Sequence, residues 1–180
     1  DDEERYNYVF VQSNTSIEAM LSEKNSWWNH AADVLSTEEQ ALVSALSATH
    51  TWTADSRHIY IDEGSIAKGL GGFIQFNFAR PENVDGFIQE NLTLWKPYFE
   101  KTMDSMGMVN WGVGRKLAPL GANWAKVSTW DMFNTLEDLM KYRIGYKLPA
   151  DLLKKSKMKD HNPDGFMMTP IFQMIANSAQ

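Results

Sequence analysis

The chain contains no cysteine. That excludes disulfide frameworks, thiolate metal sites and cysteine nucleophiles. It lacks any apolar run near the roughly 18–20 residues that a membrane helix needs, so no membrane span is expected. It also lacks a positive balance: 17 Lys and Arg stand against 23 Asp and Glu, a net charge of −6. Nucleic acid is therefore not expected as a partner, because phosphate binding needs a basic face. No Gly-x-Ser-x-Gly, no His-Glu-x-x-His and no paired-carboxylate spacing stands out, so hydrolase mechanisms have no support. Gly69-Leu70-Gly71-Gly72 is not a phosphate loop. It has no following Lys-Ser/Thr and it precedes a strand.

What is present suits a folded protein. The 180 residues are 43% apolar and 22% charged, enough for a hydrophobic core in one ordinary domain or in one domain with a sizeable extension. Seven tryptophans and ten methionines are available for that core, for a pocket or for a partner. The first residues are Asp1-Asp2-Glu3-Glu4-Arg5, an acidic, polar start of the kind that follows a signal-peptidase cut. A periplasmic or secreted location is the expectation, with a cytoplasmic one as the alternative.

Periodicity places the elements. Residues 6–12, Tyr-Asn-Tyr-Val-Phe-Val-Gln, read as a strand. Thr15 with Glu18 and Ser36 with Glu39 are capping boxes that open two helices. Short strands are predicted over 49–53 and 57–62. Residues 73–80 form a strand ended by Pro81, and a long helix runs from about Asn83 to Ser105. Pro97 predicts a kink inside it, and Gly107 its stop. Residues 108–117 and 124–133 alternate as strands around a turn at Pro119 and Gly121. Asn134 with Glu137 opens a further helix, and Pro149 another. The turn Asn162-Pro163-Asp164-Gly165 leads to a last strand over 166–175, interrupted by Pro170.

The order from 72 to 175 is β-α-β-β-α-(α)-β. The predicted class is α+β, with a ferredoxin-like split βαβ domain over 71–180. Residues 1–70 form a strand-helix-helix-strand extension or a degenerate second repeat. The spacing from Phe10 to Trp28 resembles that from Phe76 to Trp95.

Three features carry a family resemblance. Phe76-Asn77-Phe78 lies in a first strand, a long helix follows, and Val127-Ser128-Thr129-Trp130-Asp131 ends a third strand just before a helix. The stretch 73–175 resembles the dimeric α+β barrel superfamily, which includes antibiotic-biosynthesis and haem-degrading monooxygenases. The resemblance implies a homodimer packed sheet to sheet if there is one barrel half, or a monomer closing its own pseudo-barrel if residues 1–70 are a second half. It also implies a pocket lined by Asn77 and Trp130. The haem-degrading branch holds iron with a His on a later helix. Leu152 to Lys159 has none, so haem is not expected and no cofactor is predicted.

The residues themselves leave several readings open. Trp111 and Trp130 on strand faces suit either an aromatic-lined pocket or an interface. Asn77, Arg80, Arg115 and Asp131 sit at or near strand ends and could converge on a cavity mouth. There Asn77 and Arg115 are candidate anion donors, with His58 or Asp131 as candidate base. The histidines, His30, His50, His58 and His161, form no helical pair, and their plain reading is surface or satisfied polar positions. Asp160, Asn162 and Asp164 match the first half of a calcium loop. The twelfth position, however, is Ile171, and the segment is a good type I turn in its own right. The lysines around Lys157 read as a solvated helix face.

The leading functional expectation is an exported binding protein for a small apolar or aromatic molecule. The second is a cofactor-independent monooxygenase-like enzyme. The third is an assembly subunit whose Trp and Met faces bind a partner protein. A buried polar group with a perturbed pKa beside the pocket distinguishes the second from the first.

Overall fold

The computed structural model describes residues 9–25, 33, 35–49 and 58–175. The chain divides into two compact units, residues 1–56 and 57–180.

In the first unit the described elements are helical. Helix α1, Ile17–Leu21, is capped by Ser16, whose Oγ accepts from the Ala19 N–H at 3.0 Å. The cap is thus one residue later than the expected Thr15. A 3-10 turn follows at Glu23–Asn25. Helix α2, Thr37–Thr49, opens on the expected box: the Ser36 N–H donates to Glu39 at 2.8 Å, and the Glu39 N–H donates to Ser36 Oγ at 3.2 Å. Residues 9–12 are not in a strand, despite their β-branched and aromatic composition. Strand propensity acts through a pairing partner, and none of the described strands pairs with them. The rest of that expected strand, the strand over 49–53 apart from Thr49 at the end of α2, and Trp28, His30 and His50 lie outside the described residues.

The second unit is an antiparallel sheet with helices. Its strands are β1 (Ile59–Ala67), β2 (Phe73–Ala79), β3 (Met108–Ala118), β4 (Val127–Phe133), β5 (Phe166–Met168) and β6 (Ile171–Gln173). The order is β1-β3-β4-β2-β5, with β6 also on β2. Strand β1 begins where a short strand was predicted, but runs to Ala67 through a register shift between Asp62 and Gly64. It pairs with β3, and so belongs to the same compact unit as the rest of the sheet. The expected last strand is two short ones, because Pro170 interrupts the run and offers the Phe76 N–H only its carbonyl, at 3.1 Å.

Helix α3 (Val84–Glu90) leads through a π turn (Asn91–Trp95) into α4 (Lys96–Thr102). The π turn is the physical form of the predicted kink. Pro97 has no N–H to donate, and the Lys96 N–H reaches back five residues to the Asn91 carbonyl. Gly107 ends the segment at φ 69°, in the left-handed region that glycine favours. Helix α5, Leu136–Gly145, is capped by Thr135 rather than Asn134: its Oγ accepts from the Asp138 N–H at 3.1 Å. Helices α6 (Ala150–Lys155) and α7 (Met158–His161) precede the 162–165 turn, which Gly165 closes by donating to the Asn162 carbonyl at 3.1 Å.

The core joins one face of the sheet to the helices. Ala79, Val113, Val127 and Phe133 meet Phe87, Ile88, Phe99, Met103 and Leu139 there. Strand alternation puts Gln75, Asn77 and Ala79 of β2 on this face, with Thr129 and Asp131 of β4 directly opposite Asn77 and Gln75. The opposite face carries Ile74, Phe76 and Phe78 beside Trp130, all half-buried. Trp130 lies across Gly112, where an added Cβ would clash with the indole, and its Nε1 donates to Asn110 Oδ1 at 3.0 Å. No helix among the described residues is long and apolar enough to cross a membrane.

Candidate functional site

Core-facing positions on two central strands normally carry apolar side chains. Here four of them are polar. Asn77 Nδ2 donates to Asp131 Oδ2 at 2.7 Å and to Thr129 Oγ1 at 3.1 Å. Gln75 Nε2 donates to Asn77 Oδ1 at 2.7 Å, with a longer 3.5 Å approach to Asp131. All four side chains are buried. Burial pushes the Asp131 carboxyl up to about 6, against the opposing hydrogen bonds from Asn77 and Gln75. Removal from water disfavours the charged form, and two amide donors only partly offset that.

The ladder ends at an arginine. Arg143 on α5 donates to Gln75 Oε1 and to the Thr169 carbonyl through NH1, and to Thr169 Oγ1 through NH2, each at 2.9 Å. These bonds use three of the five N–H donors of a guanidinium. All the acceptors are neutral, and no carboxylate among the described residues pairs with this cation. Beside it opens a cleft of about 300 Å³, lined by Gln75, Asn77, Tyr142, Arg143, Tyr146 and Phe166 among others. Its apolar wall is aromatic. Tyr142 and Tyr146 lie with ring centroids 5.7 Å apart. Tyr146 shares a hydrogen bond with the Tyr98 hydroxyl, which burial pushes up to about 12. Burial, and next the Asp131 charge, hold the Tyr142 phenol well above its ordinary value. Tyr98 and Tyr142 are thus neutral phenols near neutral pH.

The cleft therefore offers a flat apolar wall, amide and hydroxyl groups, and one exposed cation with no carboxylate partner among the described residues. That combination suits a small planar molecule with an acidic group. The nearby buried carboxyl, separated from the cleft by Asn77 and Gln75, titrates just below neutrality.

The sequence-predicted residues are dispersed. Asn77 and Asp131 meet, as direct hydrogen-bond partners. Asn77 and Trp130 do not share a pocket: Asn77 pairs with Thr129, so Trp130 points to the opposite face. This corrects the expected common lining. Trp111 is 2% exposed in the core, 5.3 Å from the Phe99 ring. It is not among the residues that line the cleft. Arg115 is held by Glu63 at 2.6 Å and Asp85 at 2.8 Å, so it is not aimed at the Asn77 ladder. His58 lies against Trp124, with ring centroids 5.0 Å apart, and burial lowers its pKa. It does not join Asp131. Asp160 lies in α7 and is exposed like Asp164, whereas Asn162 is buried. No group of three or more His, Asp or Glu residues among the described ones is placed to hold a metal. His161 instead approaches buried Glu90 at 3.7 Å.

The sequence reading did not single out Gln75, Tyr142, Arg143, Tyr146 or Thr169. Gln75 and Asn77 alternate with aromatics, and a polar-alternating strand reads as solvent-facing until the covering helix is known. The signal available was the i, i+1, i+4 set Tyr142, Arg143 and Tyr146 at the end of one predicted helix. No protein-family model, no curated protein and no solved structure matches the chain.

Proposed function

We propose that residues 57–180 are a small-molecule-binding domain whose cleft takes a planar, aromatic molecule bearing a carboxylate or an acidic hydroxyl. The observation that carries this reading is Arg143. Its charge faces a cleft with aromatic walls, and its described partners are neutral. The ligand ring would lie against Tyr142 and Tyr146, and its acidic group would take the unused guanidinium donors. The fold reading that accompanies it is ferredoxin-like. Strand β4 sits between β2 and β3, which are joined by the long helical segment, and β5 and β6 flank β2. That order supports the split βαβ arrangement and the resemblance to the dimeric α+β barrel superfamily.

A second reading, cofactor-independent oxygenation, rests on Asp131. A carboxyl titrating near 6 beside a cleft is suited to proton acceptance. Asn77 and Gln75 stand between it and the cleft, so Asp131 would act by setting the charge and orientation of those amides. Calorimetric titration of benzoate and salicylate into the full chain tests the binding reading. Binding that weakens about 10-fold or more in Arg143→Met, with partial retention in Arg143→Lys, supports it. Absence of binding by both ligands, or equal binding by Arg143→Met, overturns it. Oxygen uptake with polyphenol ligands that is lost in Asp131→Asn would shift the reading to the enzyme.

A further inference from the structure

On the sheet face away from the helices, a second polar group sits apart from the cleft. Lys116 of β3 is directly opposite Tyr60 of β1. Lys116 is 4% exposed. Its Nζ lies 4.7 Å from the Trp124 ring centroid and 5.9 Å from that of Tyr60. His58 stands edge-on to the same Trp124 ring, close enough to feel the Lys116 charge. Three buried polar atoms belong to these residues, which are grouped around the Trp124 and Tyr60 rings: Lys116 Nζ, the Tyr60 hydroxyl and His58 Nε2. None has a hydrogen-bond partner among the described residues.

Buried polar groups are nearly always paired, and an unpaired buried ammonium is costly. Three such atoms on residues grouped around one ring call for an acceptor. No carboxylate of the described residues supplies it. Burial also pushes the Lys116 amine down, toward the neutral, nucleophilic form. Neutral Lys116 offers a single lone pair, which can accept from only one of Tyr60 and His58. An anion built on the amine itself satisfies all three positions. Nζ is roofed by Trp124, so the reagent must be small.

We propose that Lys116 is a carboxylation site: its amine adds carbon dioxide, and the carbamate oxygens accept hydrogen bonds from Tyr60 and His58. The nitrogen lone pair forms the N–C bond, one C=O π pair becomes the carboxylate charge, and one N–H proton leaves to solvent. No oxidant or further reactant is needed. The product replaces a neutral amine with an anion that faces two donors.

The test uses the full chain equilibrated with 13C-bicarbonate at about pH 8, on the alkaline side that favours the unprotonated amine. Carbon NMR reads the carbamate, and alkylation with a trialkyloxonium reagent followed by peptide mass mapping locates it. The expected result is a carbamate resonance and an alkylated carbamate on the peptide carrying Lys116. The resonance is expected to vanish in Lys116→Met and to fall about fivefold in Tyr60→Phe, the loss of one net hydrogen bond. No carbamate, a carbamate only at the amino terminus or at another lysine, or a resonance retained in Lys116→Met overturns the proposal. The peptide map on the unaltered chain decides the question even if the Lys116→Met variant does not fold.

Discussion

Replacing Asp131 with Asn keeps the shape of the side chain and removes its charge. The carboxyl titrates near 3.8 in an unfolded chain and at about 6 in the fold. Between those two pH values the folded state binds more protons than the unfolded state. Stability from this group therefore falls as pH rises through that window, and is flat above it. The whole gap corresponds to about 3 kcal/mol at 1.36 kcal/mol per pK unit. After the substitution, the retained side-chain oxygen can still accept from Asn77 Nδ2, which donates to Asp131 Oδ2 at 2.7 Å in the parent. Urea unfolding of the parent and of Asp131→Asn, followed by tryptophan fluorescence at about pH 4 and about pH 7.5, reads the difference. At the lower pH the unfolded carboxyl is already partly ionised, so most but not all of the gap is sampled. The variant is expected to gain about 2–3 kcal/mol relative to the parent between the two conditions. A difference that stays constant with pH would refute the claim that burial dominates over the two amide donors.

Other substitutions have outcomes set by where each side chain sits. Trp111→Ala is expected to cost about 3–5 kcal/mol in urea unfolding, because the indole is buried against Phe99. Trp130→Ala, on the opposite sheet face, is expected to leave ligand affinity in the cleft unchanged in calorimetry; a loss there would favour the sheet face as the site. Glu90 accepts from Ser156 Oγ at 2.6 Å, the Lys157 N–H at 2.8 Å and Trp95 Nε1 at 3.0 Å. Glu90→Ala is expected to lower stability by roughly 3 kcal/mol and to speed amide exchange in α6 and α7. Gly112→Ala puts a methyl group into the Trp130 ring, and a cost of about 1–3 kcal/mol is expected in the same unfolding assay.

Local chemistry is where the sequence speaks clearly. The Ser36–Glu39 box, the Gly107 stop, the strand over 73–79 and the 162–165 turn all depend on neighbouring residues, and the structure has each. The Pro97 effect was legible as a disturbance, but not as a π turn displaced to Asn91–Trp95. Faces were harder. Whether Asn77 and Trp130 share a face depends on the register between β2 and β4, and a one-residue slip reverses the answer. Register is set by pairing between distant segments, which alternation within one strand does not contain. The true length of β1 was hidden for a similar reason, since Gly64 reads as a terminator and the bulge there is defined by β3. The Asp131 ladder was half legible. Both Asn77 and Asp131 stood out as polar groups on strands, but their mutual hydrogen bond and the Arg143 end of the ladder required α5 to be laid across β2.

The central claim, an acid-binding cleft at Arg143, is tested most directly by an amide NMR map of salicylate titrated into the 15N-labelled chain. Saturable shifts are expected at Gln75, Asn77, Tyr142, Arg143, Tyr146 and Thr169, with Gly112 and Trp124 on the far side of the sheet unaffected. Shifts centred on Trp130 and Gly112, or no saturable shift for any aromatic acid, would contradict it.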